Sequence, residues 1–449
     1  MAEMMRDPAF EGATTLFQAA PGMCTPRTYQ GVVAESAAYR TSAWIGIPLM
    51  GTSPVMDVVG PDAAAFLQSV CVNRFDNMTA EGMRHAVICD EQGRLLTDGV
   101  VIRVADDRFR TYWLNPPIEY LASVSGMDVR TEDVVEYFIQ IEGEKSLEIL
   151  EEAFQADLHD IRFARHRKQE VEGMQVEVIR LGMSGNLAYE IHGPMEDYVA
   201  IYDKVWAAGE KFGAKKLGLY TYNLFNHTEG GFPNINVHYA MPWLEGDEGL
   251  RDWCFANPMK SFYNLARDLK GSVESIEDMF VTPYDIGIGS LVNFDHEFTG
   301  KAALAEIAKN PPKTVVTLEW NPEDVAKVFQ AQITPGGERV DDITKPLDTD
   351  VEAGYATGKM IYRGYKVLDA DGNMVGFSSG RIISYNYNAM ISLAFIKKEL
   401  AVEGTELTLV WGTPGTPQFD IRMKVARFPY NQDMVRNEDR DVSDIPRRL

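Results

Sequence analysis

Apolar residues along this chain fall into short runs whose period keeps changing between two and three to four. Val55–Val59 is a β-branched run stopped by Gly60-Pro61-Asp62, and Ala63–Val70 then reads as a helix opening after Asp62, a capping side chain. His85–Cys89 and Gly99–Val104 predict apolar strands around the turn Asp90-Glu91-Gln92-Gly93. The style recurs further on. Val134–Ile141 predicts a strand ending at Glu142-Gly143, Ser146–Phe154 an amphipathic helix, and Met174–Arg180 and Ala188–His192 two more strands. Tyr198–Phe212 predicts a helix stopped by Gly213. Strands interleaved with helices in two short halves point to α+β architecture. A dinucleotide fold has no support, because no GxGxxG follows a strand.

The pattern changes after Pro311-Pro312. Thr314–Trp320, Lys366–Asp369, Ile391–Ile396, Glu406–Trp411 and Met423–Phe428 predict short strands separated by Gly, Pro and Asn turns. That is the signature of a small antiparallel barrel or sandwich. Residues 330–358 are polar and acidic and read as an insertion loop; the charged tail from Asn431 reads as loose. The expected organisation is an arm over 1–40, two α+β subdomains over 41–310, a β domain over 311–430 and a tail over 431–449.

Charge narrows the function. Lys and Arg number 43 against 66 Asp and Glu, a net charge of −23, which repels polyphosphate and argues against nucleic acid and anionic membranes as partners. A small anionic ligand remains compatible, since a local pocket can oppose the net field. No stretch approaches 18 consecutive apolar residues, and MAEMMRDPAF lacks the basic and apolar regions of a signal peptide. Cys24, Cys71, Cys89 and Cys254 are far apart and form no CxxC, so no metal site is expected and a reduced, cytoplasmic enzyme is the default.

Three segments are candidates for chemistry. Gly218–Pro233 packs Tyr220, Tyr222, Asn223, Asn226, His227 and Glu229 together without a hydrophobic period, which reads as a pocket wall or a satisfied polar corner. In Leu181–Ile191 a Gly-rich turn leads into a strand carrying Glu190. In Gly93–Val101, Asp98 interrupts an apolar run, which is costly unless the acid is paired or functional. His159 and His166 sit in a charged segment and read as surface groups.

Together these segments resemble the folate-dependent glycine-cleavage T-protein (aminomethyltransferase) superfamily. The matching positions are Gly93 to Asp98, then Gly182, Gly185, Tyr189 and Glu190, then Glu229 and Gly230. Pro283–Gly289 and Phe294–Leu304 resemble its inter-domain segment, Gly376–Gly380 and Ile391–Ile396 its C-terminal domain. Order and spacing agree over roughly residues 40–430. Ser275–Asp278, Lys327, Asp371–Gly376, Tyr385-Asn386 and Gly404–Gly412 look like one branch, the bacterial tetrahydrofolate-dependent aryl O-demethylases of vanillate and syringate type.

The resemblance implies a T-protein-like fold of two intertwined α+β subdomains plus a C-terminal antiparallel β-barrel, with tetrahydrofolate as cofactor. It implies that Glu190, Glu229 and Tyr189 bind the pterin and that Phe163 and Phe232 line it. Carboxylates suit the paired N–H donors of a pterin, and aromatics flank a flat ring well. The essential tyrosine falls on Tyr222, with Tyr220 as the alternative, and Asp98 at the junction of folate and substrate. The substrate positions depart from the branch. Its carboxylate-binding arginine is replaced within Trp113-Leu114-Asn115-Pro116, its histidine by Gly51-Thr52, and a tyrosine of its arm by Cys24. Thr52, Leu114, Asn115 and Cys24 are therefore the implied substrate-binding positions. A methoxylated, lignin-derived small aromatic other than vanillate is the expected substrate. The alternative on the same scaffold is a folate-independent lyase that releases formaldehyde from a hydroxymethyl group.

Overall fold

The computed structural model describes residues 7–20, 23–46, 55–235, 237–258, 260, 266–347 and 360–448. The polypeptide is α+β. Its N-terminal part holds two sheets that share the chain in an interleaved way. Trp44–Gly46 enters a six-stranded sheet, residues 55–134 then build a five-stranded sheet, and Glu136–Glu142 returns to pair antiparallel with Trp44–Gly46. Lys215–Leu217 closes that edge in parallel with Trp44–Gly46. The run expected as one strand from Val134 is two strands, Arg130–Val134 in one sheet and Glu136–Glu142 in the other. The crossing residue between them, Val135, is exposed.

Alternation along the six-stranded sheet sorts its side chains. Tyr137, Ile139, Ile141, Tyr189 and Ile191 face a core completed by the helices Ser146–Phe154 and Tyr198–Lys211. The intervening residues Glu136, Gln140, Glu142, Glu190 and His192 face the other way. Of these, Gln140, Glu142, Glu190 and His192 are buried, so this face is polar without being solvated.

The C-terminal part is a closed barrel of Lys313–Trp320, Ala389–Lys397, Met374–Ser384, Tyr365–Leu368, Glu406–Trp411 and Phe419–Ala426, with every pairing antiparallel. Closure leaves no free sheet edge. Inside it, Tyr365 stacks on Trp411 at 4.7 Å, and Trp320 meets Trp411 edge-on at 5.7 Å.

Several expectations are corrected. Pro322–Gln332 is a helix reaching into the segment read as an insertion loop; Asn321 caps it by accepting from the N–H groups of Glu323 and Asp324. The tail is docked rather than loose, because Val442 and Ile445 are part of the apolar core and Arg180 donates to the carbonyls of Asn437 and Arg440. The side chains of His159 and His166 are covered, hydrogen-bonded to Glu151 and Glu177 at 2.7 and 2.6 Å. Asp62 does precede the helix Ala63–Val70, but its carboxylate accepts from the Asp128 N–H and makes no cap bond.

Candidate active site

A cavity of about 670 Å³ opens where the two sheets, the segment 218–237 and the docked tail meet. Its walls are mostly apolar, with Met83, Val100, Trp113, Phe163, Phe232 and Trp243 among them. Among the described lining residues only Asp98 and Glu438 are acidic. Arg27, Arg84, Lys260, Lys345 and Arg436 line it as cations, an inversion of the chain's net charge.

Asp98 lies on the long strand Leu95–Ala105. The adjacent strand Met83–Cys89 places His85 opposite Val100, two residues beyond Asp98, so His85 and Asp98 are diagonal neighbours on one face. The Nε2 of His85 lies 2.7 Å from one carboxylate oxygen of Asp98, and the Tyr239 hydroxyl donates to the other at 2.9 Å. Burial and the charge of Asp98 hold the Tyr239 phenol well above its ordinary pKa. Tyr239 also packs edge-on against Phe395 of the barrel at 6.4 Å, so the barrel braces this acid.

Tyr222 and Tyr220 both line the cavity from the short helix Leu219–Asn223. Two residues apart on a helix they diverge by roughly 200°. Tyr220 stacks under the Arg27 guanidinium at 4.3 Å, whereas Tyr222 is buried edge-on between Trp44 and His227, at 6.1 and 5.9 Å. The Tyr222 hydroxyl points to the sulfur of Met183 at 3.7 Å. The helix continues as a π-helical turn, Leu224–Glu229, a form frequent at functional sites. On that turn, burial pushes His227 down to about 4, so its imidazole is neutral. Asn234 donates to its Nε2 at 2.7 Å, which leaves Nδ1–H to donate to the Phe232 carbonyl at 3.3 Å.

The Gly182–Gly185 turn forms another wall. Gly185 has φ +86°, a left-handed conformation that favours glycine, and the Arg436 guanidinium packs against it. The N–H groups of Met183 and Ser184 donate to the Glu142 carboxylate at 3.0 and 3.3 Å. Burial pushes Glu142 up to about 7 against those hydrogen bonds.

The structure thus gathers Asp98, Tyr222, Tyr220, Phe163, Phe232 and Asn115 around one cavity. Asn115 is 9 % exposed, and its Oδ1 has no hydrogen-bond partner among the described residues. The other implied residues lie elsewhere. Glu229 is fully buried and accepts from Tyr39, Ser384 and Asn386 at 2.8, 3.0 and 2.9 Å. Glu190 is nearly buried, 3.4 Å from His192. Burial alone lowers His192, but its hydrogen bonds to Glu136 and Glu190 prevail and push it up to about 9. Tyr189 faces the opposite core, as its strand neighbour Glu190 requires, and Leu114 is fully buried against Gly99. Cys24 lies on the strand Met23–Thr28, outside whose backbone nothing of it is described, and Thr52 lies outside the described residues. His85 and Met183 line the same cavity, and Tyr239 and Glu142 bond to residues that line it; of the four only Met183 lies in a segment that the sequence singles out.

Residues 9–236 match the family model described as the GCVT N-terminal domain. The chain is 46% identical over 443 residues to the sesamin methylene transferase of Sinomonas sp. (strain No.22), covering 97% of this chain and 96% of that protein. The chain belongs to the GCVT family. This GCVT chain is also 29% identical over 438 residues to the syringate O-demethylase of Sphingobium sp. (strain NBRC 103272 / SYK-6), covering 90% of this chain and 91% of that one. Its fold is that of the glycine cleavage system aminomethyltransferase T from Bartonella henselae, with a TM-score of 0.66 at 18% identity and 96% of both chains covered.

Proposed function

We propose that this GCVT chain transfers a one-carbon unit from an aryl ether to tetrahydrofolate, releasing a phenol. The reading rests on one observation: Tyr222 and the His85–Asp98 pair line the same apolar cavity. At about 670 Å³ it falls within the range of roughly 300–1,000 Å³ typical of ligand pockets. The relatives supporting it are named for methylene transfer from sesamin and O-demethylation of syringate.

The residues fit a reduced folate. Phe163, Phe232 and Trp113 offer faces for a flat ring. Arg27, Arg84, Lys260, Lys345 and Arg436 suit the carboxylates of a glutamyl tail. When bound, the folate supplies a secondary amine that accepts the carbon.

The chain's own residues supply the rest. Walls of Met83, Val100, Trp113 and Trp243 exclude water and strengthen every dipole inside. As the aryl oxygen gains charge, the Tyr222 hydroxyl donates to it. A hydroxyl aimed at that oxygen stabilises the charge as it develops. Holding two substrates in line removes much of the remaining barrier.

The test is incubation with tetrahydrofolate and a panel of methoxy- and methylenedioxy-aromatics. Appearance of a free phenol together with a one-carbon folate supports the reading. Phenol or formaldehyde formed at the same rate without folate refutes it in favour of a lyase.

A further inference from the structure

We propose that His85 is a second acid–base residue of this site, the proton acceptor that complements Tyr222, and that Asp98 and Tyr239 are its positioning residues. The proposal rests on the one-carbon transfer reading above. It begins from the surroundings of Asp98. Both carboxylate oxygens are already engaged, one at 2.7 Å by His85 and the other at 2.9 Å by the Tyr239 hydroxyl. The carboxylate therefore acts on a ligand chiefly through the imidazole it holds.

A carboxylate accepts, so the facing Nε2 carries the hydrogen in the neutral ring and Nδ1 carries the lone pair. Among the described residues no group meets Nδ1 at hydrogen-bond distance, while the side chain is 24 % exposed and lines the cavity. Phe232 lies 6.0 Å away and blocks no donor, being apolar. Lining the cavity besides His85, Asp98 and His227 are Tyr220 and Tyr222, five Lys and Arg side chains and Glu438, and burial keeps His227 neutral. That leaves His85 as the imidazole with an open basic nitrogen in the cavity.

The proton count calls for such a group. The carbon–oxygen bond of the ether breaks with its electron pair left on oxygen, and a carbon–nitrogen bond forms from the amine lone pair. The exchange leaves one proton in surplus at nitrogen and one in deficit at oxygen. Nδ1 of His85 takes the first, and the Tyr222 hydroxyl supplies the second. The imidazolium then returns its proton to the tyrosinate, so the cycle neither gains nor loses one.

The first test needs no substrate. In protein labelled with 15N-histidine, the His85 resonances, assigned by their loss in His85→Gln, are expected to show protonated Nε2 and bare Nδ1. Asp98→Ala and, more weakly, Tyr239→Phe are expected to erode that preference. A wild-type ring protonated on Nδ1 overturns the proposal. The second test compares His85→Gln and His85→Asn with wild type. Tetrahydrofolate affinity by calorimetry is expected to stay within about threefold, while single-turnover transfer falls by roughly 10²–10⁴-fold. Transfer at the wild-type rate by a folate-binding His85 variant overturns the role of His85 and leaves the proposed function standing. A wild-type protein that neither binds tetrahydrofolate nor passes carbon to it overturns both.

Discussion

The backbone N–H of Met183 donates to the buried Glu142 carboxylate at 3.0 Å, and the sulfur of the same methionine receives the Tyr222 hydroxyl at 3.7 Å. A carboxylate from the polar face of the six-stranded sheet therefore sets the wall against which the tyrosine rests. Its folded pKa, about 7, lies above the ordinary value near 4.5.

This relationship has a pH signature. Because the folded form holds the proton more tightly, the contribution of Glu142 to stability is full below about pH 4.5 and is lost as pH rises to about 7. The loss is on the order of 3 kcal/mol. Glu142→Gln removes the charge and keeps an acceptor for one of the two N–H groups, which reach different carboxylate oxygens. Urea titrations at pH 5 and pH 8 are expected to show a smaller difference for the variant than for wild type. An equal difference removes Glu142 as the cause.

Tyr222→Phe deletes one oxygen from a residue packed between Trp44 and His227. Turnover is expected to fall by about 10²–10⁴-fold with folate binding retained. Tyr220→Phe is expected to lose far less, because its ring serves Arg27. Reversal of the two results would move the role to Tyr220.

Glu229 was expected, from the resemblance, to hold the pterin. Its three donors, Tyr39, Ser384 and Asn386, instead tie the π-helical turn to the helix Val32–Thr41 and to the barrel region. Glu229→Gln is thus expected to cost about 1–3 kcal/mol of stability with little change in folate affinity. Calorimetry showing a large affinity loss at unchanged melting temperature would restore the pterin assignment.

Asn115 stands where the related demethylases are expected to carry a carboxylate-binding arginine. A neutral amide there gives a substrate carboxylate no charged partner, and burying that charge unpaired is unfavourable. Asn115→Arg is expected to raise turnover of a methoxybenzoate relative to the matching methoxyphenol by about 10–100-fold, equivalent to one charged hydrogen bond. An unchanged ratio would show that Asn115 does not select the substrate.

Much of the architecture was legible in the chain. The helices Ser146–Phe154 and Ala63–Val70 and the strand Glu406–Trp411 have the expected limits, because each has a clear period and a clear stop. The site was only half legible. Adjacent strand residues face opposite ways, so Tyr189 packs into the apolar core while Glu190 lies on the polar face beside His192. The His85–Asp98 pairing follows from strand register across the turn at Asp90–Gly93, but a bulge between Ile88 and Cys89 shifts that register by one. The tail hid its docking for a different reason. Val442 and Ile445 are two apolar residues among charges, and their partners lie hundreds of positions earlier in sequence.

That docked tail imposes an order in time. Arg436 covers Gly185 and Asn437 bonds its carbonyl at 2.8 Å, yet both are synthesised long after it. At roughly 5–20 residues per second, the intervening stretch of about 250 residues takes on the order of tens of seconds to emerge. Over that interval the walls that Tyr220, Trp243, Leu291, Lys345 and Arg436 supply are added to those of Phe163 and Trp113. A segment far downstream of the Gly182–Gly185 turn thus supplies one wall of the site.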